Sequence, residues 1–310
     1  MKHAFLIIAH DNWEQVKMLL HAIDSNCADI FIHVNEKVQM PSIRDVGGSV
    51  KKSHIYWSDR KKIVWGEYGI LDASISLLKK AKQVSQYDYY HLLSGSDLPL
   101  KGIDEIDTFF EMNKFNNLSK GQFTNYISAN ECTDPKMCAR VDQYTLLGKY
   151  WNAANKWKKV ATSINRVGYY AQKILGVHRL GKIQIYHGST WWSISNNLAM
   201  DLIANEDFFR KQYGDKTFGA DEFAIQTFVM NSNYSQTVYR SGRNMPNSNL
   251  REIDWKRGNG HGSPHIWKSE DLDFLEQSSN LFGRKFDISI DKGIVDDLMK
   301  IQNKGERQFV

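Results

Sequence analysis

The stretch Ala4-Phe5-Leu6-Ile7-Ile8-Ala9-His10 sets the pattern that decides the fold. Its apolar run is short and ends at polar residues, which is typical of a buried β-strand. A helix is predicted to begin at Asp11, because Glu14 follows three residues later as in a capping box. The apolar face of this helix consists of residues at helical spacing, namely Val16, Leu19, Leu20 and Ile23.

The same alternation of strand and helix continues through the first third of the chain. Further strands are predicted at 30–34, 54–57 and 89–93, with a helix at 68–83. This rhythm predicts an α/β fold, with a mostly parallel central sheet and helices on both faces. The second half is less regular, with predicted strands at 123–128 and 183–187, predicted helices at 162–174, 195–204 and 220–231, and irregular segments at 129–160 and 240–265.

Composition limits the possible functions. A chain of 310 residues that is 42% hydrophobic can bury a sizeable core, and no linker or internal repeat interrupts it, so a single domain over 1–310 is predicted. The net charge of +5 is too small and too scattered to indicate nucleic-acid binding. Mild basicity does suit an anionic ligand such as a nucleotide diphosphate.

Cysteine usage and hydropathy bear on the compartment. The three cysteines, Cys27, Cys132 and Cys138, have no zinc-ligand spacing, and a reducing cytosol is the simplest interpretation. Pairing of Cys132 with Cys138 in an oxidising compartment stays open. The apolar run at 4–9 is too short for a signal peptide, and no stretch approaches the ~20 apolar residues of a membrane span. We therefore expect a soluble protein, with peripheral membrane contact as an open alternative.

Polar residues follow the predicted strands at one edge of the sheet. Ligands of parallel sheets bind beyond the carboxyl ends of the strands, so His10, Asn35 and the segment 94–97 should gather along one rim. Nucleotide-sugar transferases commonly place an Asp-x-Asp pair there to hold Mg²⁺ or Mn²⁺, but here Gly95 takes the first position and Asp97 stands alone. Asp97 is either a donor contact or the cap of a turn.

Two further segments contain charged residues that could take part in the reaction. Arg284 and Lys285 lie between two phenylalanines and could balance a diphosphate leaving group, although an Arg-Lys pair is more often a solvated surface feature. Glu222 stands at the start of a predicted helix and could act as a general base. The alternative for Glu222 is that it only complements the helix dipole.

Aromatic residues supply candidate sugar contacts. The chain contains nine tryptophans, and Trp191, Trp192 and Trp255 lie in segments that could bind an acceptor. Sugars stack their apolar faces on aromatic rings in pockets with a few polar groups. Burial in the core is the alternative for each of these side chains.

In this order, the segments resemble the core-2/I-branching β-1,6-N-acetylglucosaminyltransferases and the related peptide O-xylosyltransferases. The resemblance covers nearly the whole chain. Its segments are residues 4–10, Ile32-His33-Val34-Asn35, Val64-Trp65-Gly66, residues 92–100, Gly188-Ser189-Thr190-Trp191-Trp192-Ser193, Asp221-Glu222-Phe223 and residues 282–287.

The resemblance implies a GT-A-like fold, with a nucleotide-binding half at 1–120 and an acceptor-binding and catalytic half at 121–310. It implies inverting transfer without a metal, from a UDP-sugar carrying GlcNAc or xylose to a glycan or lipid-linked oligosaccharide. Glu222 is implied as the base, and Arg284 and Lys285 as contacts of the diphosphate. The implied donor residues are His10, Val34, Asn35, Trp65, Gly95, Ser96 and Asp97. The implied acceptor residues are Arg140, Trp191, Trp192 and Trp255.

The chain departs from this family in two ways. Family members usually carry Asp after the His-Val of the second strand, whereas Asn35 can donate as well as accept a hydrogen bond, so the uridine contact there is open. Secretory relatives carry a membrane anchor and many cysteines, which this chain lacks. We therefore expect a compact bacterial form that acts on a surface-polysaccharide precursor in the cytoplasm, with the inner face of the membrane as an alternative location. A non-catalytic carbohydrate-binding protein is the alternative.

Overall fold

The computed structural model describes residues 1–115, 121–147, 156–214, 216–240, 248–260 and 262–305. The predicted irregular segments at 129–160 and 240–265 lie partly outside these ranges. The strands are β1 His3–Ala9, β2 Ala28–Val34, β3 Ile55–Trp57, β4 Tyr89–Ser94, β5 Asp97–Pro99, β6 Asn130–Glu131, β7 Tyr186–His187, β8 Ser193–Ser195, β9 Arg251–Ile253 and β10 Phe282–Arg284. The helices are α1 Trp13–Ala22, α2 Ile43–Gly47, α3 Gly69–Val84, α4 Ile103–Met112, α5 Pro135–Asp142, α6 Lys156–Ile174, α7 Asn196–Ala204, α8 Glu206–Tyr213, α9 Ala224–Met230, α10 Leu272–Gln277 and α11 Lys292–Gly305.

The central sheet has the strand order β3-β2-β1-β4-β8. The first four strands are parallel, and β8 runs antiparallel to β4. Ala9 pairs with Val34 and Ile8 pairs with Ser94, so β1, β2 and β4 end at the same edge. The predicted parallel sheet is confirmed, and its carboxyl ends meet where the sequence places the polar residues.

Two hydrophobic cores cover the two faces of this sheet. Side chains of β1 alternate between them, with Leu6 in one core and Phe5 in the other. Helices α3 and α7 contribute to the core of Leu6, whereas α1, α4, α10 and α11 contribute to the core of Phe5. A parallel strand buried on both sides needs a nearly continuous apolar run, which explains the composition of β1. The predicted helices on both faces are confirmed.

Strands from both halves of the chain share the same sheets. Strand β8, from the second half, pairs with β4, and β10 lies between β5 and β9 in a three-stranded sheet. Strands β6 and β7 form a separate pair. These pairings position residues 282–285 beside the end of β4.

Several local predictions are wrong. Helix α1 begins after Asn12, which has a φ of 48° and makes no side-chain cap bond, so the predicted capping box at Asp11 does not form. Asn tolerates this left-handed conformation better than most residues, which lets the chain turn sharply after β1. The predicted strand at 123–128 has only isolated bridges, and the predicted helix at 220–231 is divided at Phe223.

The cysteines and the longer helices bear on where in the cell the protein acts. Cys132 and Cys138 form a disulfide, and Cys27 is free and exposed. The pairing is the alternative that the sequence left open, and the cysteines therefore no longer favour a reducing compartment. Among the helices of the described ranges, none combines the length and apolar character needed to cross a bilayer.

Candidate active site

A cleft of about 360 Å³ opens at the carboxyl ends of β1, β2 and β4. Eight residues predicted for the site line it: His10, Asn35, Trp65, Gly95, Ser96, Trp191, Arg284 and Lys285. The structure therefore brings together residues from six separate segments of the chain. The cleft combines basic groups with the rings of two tryptophans.

Gly95 lets the end of β4 approach α1 closely. Its amide donates a hydrogen bond of 3.0 Å to the carbonyl of Ile8. A Cβ at this position would lie 3.0 Å from Cγ2 of Val16 and 3.5 Å from Cβ of Ala9. A side chain there would push α1 away from the sheet edge, so the glycine maintains the shape of the cleft floor.

Asp97 is fully buried and does not line the cleft, which corrects its prediction as a donor contact. One carboxylate oxygen accepts a hydrogen bond of 2.8 Å from the amide of Ser94. The other accepts bonds from the Ser94 hydroxyl at 2.8 Å and from Nη1 of Arg284 at 2.7 Å. Asp97 thus closes the turn after β4 and anchors Arg284, because strand pairing places Asp97 opposite Arg284.

Arg284 is held in place on several sides. Its Nη1 also donates to the Ser94 hydroxyl, and its guanidinium carbon lies 4.7 Å from the ring centroid of Trp191. The buried Trp267 donates from its indole to the Arg284 carbonyl at 2.8 Å and from its backbone amide to the Lys285 carbonyl at 2.9 Å. The peptide bond between Arg284 and Lys285 is cis. These contacts fix the guanidinium of Arg284 and the backbone of both residues at the cleft.

Lys285 is the more available of the two cations. Within the part of the chain that the structure describes, its ammonium group makes no hydrogen bond or ion pair with another side chain. It lines the cleft beside Arg284. An ammonium group in this position can bind an anionic ligand without first breaking an internal bond.

Gln15 is a structural residue of the site that the sequence analysis missed. It is buried, and its side-chain amide donates to the carbonyls of Gly95 at 3.2 Å and Phe286 at 3.0 Å. Its amide oxygen accepts from the backbone of Ile288 at 3.0 Å. Gln15 therefore joins the turn after β4 to the segment that follows Lys285. Gln15 could have been found in the sequence from its position four residues before Leu19, which places it on the buried face of α1.

Asn35 holds the segment at 58–65, which carries Trp65. Its amide nitrogen donates to the Ile63 carbonyl at 3.1 Å, and its amide oxygen accepts from the Ile63 amide at 3.2 Å. His33 accepts a further bond of 2.8 Å from the backbone of Lys61. An aspartate could not make the bond to the Ile63 carbonyl, so the asparagine at this position has a structural use.

Glu222 lies beside the cleft and is not among its lining residues. Its side chain is 45% exposed, and one carboxylate oxygen accepts a bond of 2.6 Å from Nη2 of Arg140. The amide of Gly219 donates to the carbonyl of Gly66 at 2.8 Å, and the rings of Phe218 and Trp65 lie 5.3 Å apart. These contacts place the segment with Glu222 against the Trp65 side of the cleft.

Gly219 is required for the contact between Arg140 and Glu222. It has a φ of 73°, in the left-handed region, and a Cβ there would lie 2.0 Å from Nη2 of Arg140. Arg140 also donates from Nε to the Phe218 carbonyl and stacks over the rings of Phe218 and Phe223. The glycine therefore opens the space that the guanidinium occupies.

Two further titratable groups are close to Glu222. Asp221 is partly buried and accepts a bond of 2.7 Å from the Thr190 hydroxyl. Burial and the Glu222 carboxylate raise the pKa of Asp221 to about 6. Burial lowers the pKa of His187, and the nearby charges of Glu222 and Arg140 also affect this pKa. Since Thr190 precedes Trp191, one short segment connects this cluster to Arg284.

Besides Asp97 and Arg140, three predicted contacts lie outside the cleft. Val34 is buried in the core at the end of β2, and Trp192 is buried in the opposite core. Successive residues of an extended chain point to opposite sides, so Trp191 faces the cleft while Trp192 cannot. Trp255 is 60% exposed and does not line the cleft. Its loop still reaches the rim, since a Cβ on Gly262 would lie 3.8 Å from the Trp65 ring.

Within the described ranges, no group of three or more His, Cys, Asp or Glu side chains is arranged to hold a metal ion. The carboxylate of Asp97 is fully engaged with protein donors. Hard cations such as Mg²⁺ require several oxygen atoms that point at the ion, and this edge of the sheet offers few of them.

The chain matches the family model described as Core-2/I-Branching enzyme over residues 3–277. No curated protein matches it. Among solved structures, it is similar to mouse xyloside xylosyltransferase 1 in its apo form, with 10% identity, 90% of this chain and 96% of that chain covered and a TM-score of 0.37. It is also similar to core-mannan synthase A from Aspergillus fumigatus in an Mn/GDP form, with 11% identity, 77% and 72% covered and a TM-score of 0.36. Because the family model covers most of the chain, this protein belongs to the Core-2/I-branching enzyme family of glycosyltransferases.

Proposed function

We propose that this glycosyltransferase moves a sugar from a UDP-sugar to a hydroxyl of a glycan or lipid-linked oligosaccharide, with inversion and without a metal. The observation that carries the proposal is the position of Arg284 and Lys285 at the carboxyl ends of parallel strands. Ligands of such sheets bind at this edge. Two adjacent cations suit a diphosphate there, because Arg provides a bidentate fork and Lys a point charge.

The two cations take the role that a metal ion has in many nucleotide-sugar transferases. As the bond from the anomeric carbon to the diphosphate breaks, its electrons remain on the departing oxygen. Preorganised cations stabilise this developing charge most effectively. The burial of Asp97 supports a metal-free reaction, since its carboxylate orients Arg284 and is not directed at a ligand.

Glu222 is proposed as the general base. It accepts the proton of the acceptor hydroxyl while that oxygen forms the new bond to the anomeric carbon, and UDP leaves from the opposite side. A single displacement of this kind inverts the anomeric configuration. Arg140 holds the carboxylate in position through one oxygen, and the 45% exposure of the side chain leaves the carboxylate accessible to an acceptor.

The remaining roles are assigned by position. His10, Asn35, Trp65, Gly95 and Ser96 line the cleft on the proposed donor side. Trp191 lies between Arg284 and the segment with Glu222, where the transferred sugar or the acceptor would stack on it. GlcNAc and xylose are the proposed donor sugars, and surface-polysaccharide synthesis is the proposed context.

A panel of UDP-sugars incubated with the protein in excess EDTA tests this function. We expect one of UDP-GlcNAc and UDP-xylose to release UDP faster than the others. Strict dependence on added Mn²⁺ would contradict the metal-free reaction. Glycan binding that is unaffected by UDP, with no turnover of any donor, would instead support a non-catalytic carbohydrate-binding protein.

A further inference from the structure

Helix α6 carries an apolar stripe on its outer surface. Its large aliphatic residues recur at spacings of three, four or seven positions, which places them on one side of a helix with 3.6 residues per turn. Val167 is 70% exposed and Ile174 is 86% exposed. The exposed stripe consists of Val160, Ile164, Val167, Ile174 and Leu175, the last directly after the helix.

A different face of α6 packs on the protein. Ala161 is buried, and Gly168 lies so close to Leu146 that a Cβ would be 2.8 Å from its Cδ1. Gln172 exchanges hydrogen bonds with the backbone of Tyr144 at 2.8 and 3.0 Å. The inner face already anchors the helix, so the outer stripe is not needed for that packing. Exposed apolar groups grouped in this way indicate an interaction surface.

The segment that contains the stripe is basic, although the side chain of Asp142 contacts His178 and Leu180 just beyond the end of α6. Residues 143–200 contain no Asp or Glu, whereas they contain eight Lys and Arg. Three of these, Lys159, Arg166 and Lys173, are exposed and spaced by seven residues, so they form a basic row beside the apolar stripe. A second copy of this chain would bring another positive surface against it, which argues against self-association through this face.

We propose that the outer face of α6 binds the surface of an anionic lipid bilayer. A helix with an apolar stripe and flanking Lys and Arg lies in the plane of the interface, with its apolar side chains at the acyl boundary and its cations at the headgroups. The negative surface of the bilayer is complementary to the basic row beside the stripe.

The position of α6 connects the bilayer to the candidate active site. The inner face of α6 packs on residues 144–147, and these follow α5, which carries Arg140. Arg140 in turn holds Glu222. This step rests on the proposed function: an acceptor whose lipid portion lies in the bilayer would reach the active site from the side of α6.

Flotation of the full chain with lipid vesicles tests the proposal without any measurement of sugar transfer. One set of vesicles is phosphatidylcholine alone, and the other contains roughly a third phosphatidylglycerol. We expect binding to the anionic vesicles that weakens as salt is raised, because exposed charges are screened. Replacing Lys159, Arg166 and Lys173 by Gln should weaken binding at least about tenfold.

A second variant tests the apolar stripe. Val167→Gln with Ile174→Gln should also weaken vesicle binding, whereas Met112→Gln with Ile290→Gln, exposed apolar residues elsewhere, should not. Lys37, Lys51 and Lys52, replaced together by Gln, serve as the matched charge control. Circular dichroism confirms that each variant is folded. Absence of vesicle binding, equal loss in the control variants, or concentration-dependent self-association removed by the α6 substitutions would each overturn the proposal. Vesicle binding without sugar transfer would count against the proposed function alone.

Discussion

Nη2 of Arg140 lies 2.6 Å from a carboxylate oxygen of Glu222, although 82 positions separate the two residues in the chain. Arg140 belongs to α5, whereas Glu222 ends a short 3-10 helix beside the cleft. The contact fixes a partly exposed carboxylate next to the wall that contains Trp65. Such fixation is what a general base requires, because proton transfer depends on a defined position relative to the acceptor hydroxyl.

Glu222→Gln should abolish most sugar transfer while UDP binding is retained. The amide preserves the shape of the side chain but cannot accept the proton, and positioned general bases typically contribute about 10²–10⁴-fold in rate. The measurement is kcat alongside the Kd for UDP. Glu270→Gln, an exposed acidic residue elsewhere, is the matched control and should retain normal activity. Normal transfer by Glu222→Gln would remove Glu222 as the base.

Asp97→Asn should destabilise the protein and weaken UDP binding together. It removes the charge that the buried Asp97 presents to Arg284, and breaking a buried ion pair typically costs about 3–5 kcal/mol. A double-mutant cycle with Arg284→Met, followed by urea unfolding, measures the interaction directly. We expect a coupling free energy of at least about 1 kcal/mol. Additive effects of the two substitutions would show that Asp97 does not anchor Arg284.

The contribution of His33 to stability should fall as the pH is lowered from about 6.5 towards 4, whereas Asp221, whose pKa is raised to about 6, acts in the opposite direction. Burial, with the nearby charge of Arg60, lowers the pKa of His33 to about 4, so the unfolded chain takes up a proton in this range before the folded one does. Linkage then favours the unfolded state by up to about 3 kcal/mol at the acid end. The buried His91, whose pKa is also lowered by burial, acts in the same direction.

The contribution of His33 can be isolated by substitution. His33→Gln retains a group able to accept the bond from the Lys61 backbone but does not titrate. On lowering the pH from 6.5 to 4, its free energy of unfolding should therefore decrease less, or increase more, than that of the unmodified protein. An unchanged pH dependence would mean that His33 is already protonated in the folded state across this range.

Asn35→Asp should loosen the segment that carries Trp65. The carboxylate can still accept from the Ile63 amide, but it loses the bond to the Ile63 carbonyl and places two acceptors against each other. A lost hydrogen bond of this type costs about 1 kcal/mol, and leaving the carbonyl unpaired adds to it. We expect faster hydrogen exchange at residues 60–65 and weaker UDP binding. Tighter UDP binding would show instead that position 35 contacts the nucleotide directly.

Much of the first third of the fold was predictable, because its strands and helices alternate along the chain and each has a local pattern. The α/β class and its mostly parallel sheet follow from these elements and are confirmed. The antiparallel β8 and the pairing of β5 with β10 were not predictable in this way. Asp97 and Arg284 are 187 positions apart, and no local pattern indicates that they pair.

The candidate site was predictable where it follows the ends of parallel strands. His10, Asn35, Gly95 and Ser96 gather because β1, β2 and β4 share one edge. The orientation of single side chains was harder to predict. Trp191 and Trp192 have the same chemistry, and only the direction of an extended segment decides which ring faces the cleft. Gln15 likewise depends on three backbone partners, two of which lie more than 200 residues away.

Calorimetric titration of UDP in excess EDTA, on the unmodified chain and on Arg284→Ala with Lys285→Ala, tests most directly whether these two cations bind the diphosphate. We expect binding by the unmodified chain and a loss of affinity of at least about tenfold in the double variant, since each charge-assisted bond contributes about 1.5–3 kcal/mol. Lys51→Ala with Lys52→Ala should bind UDP normally. Equal affinity in the Arg284 and Lys285 variant, or binding only after Mn²⁺ is added, would contradict the account.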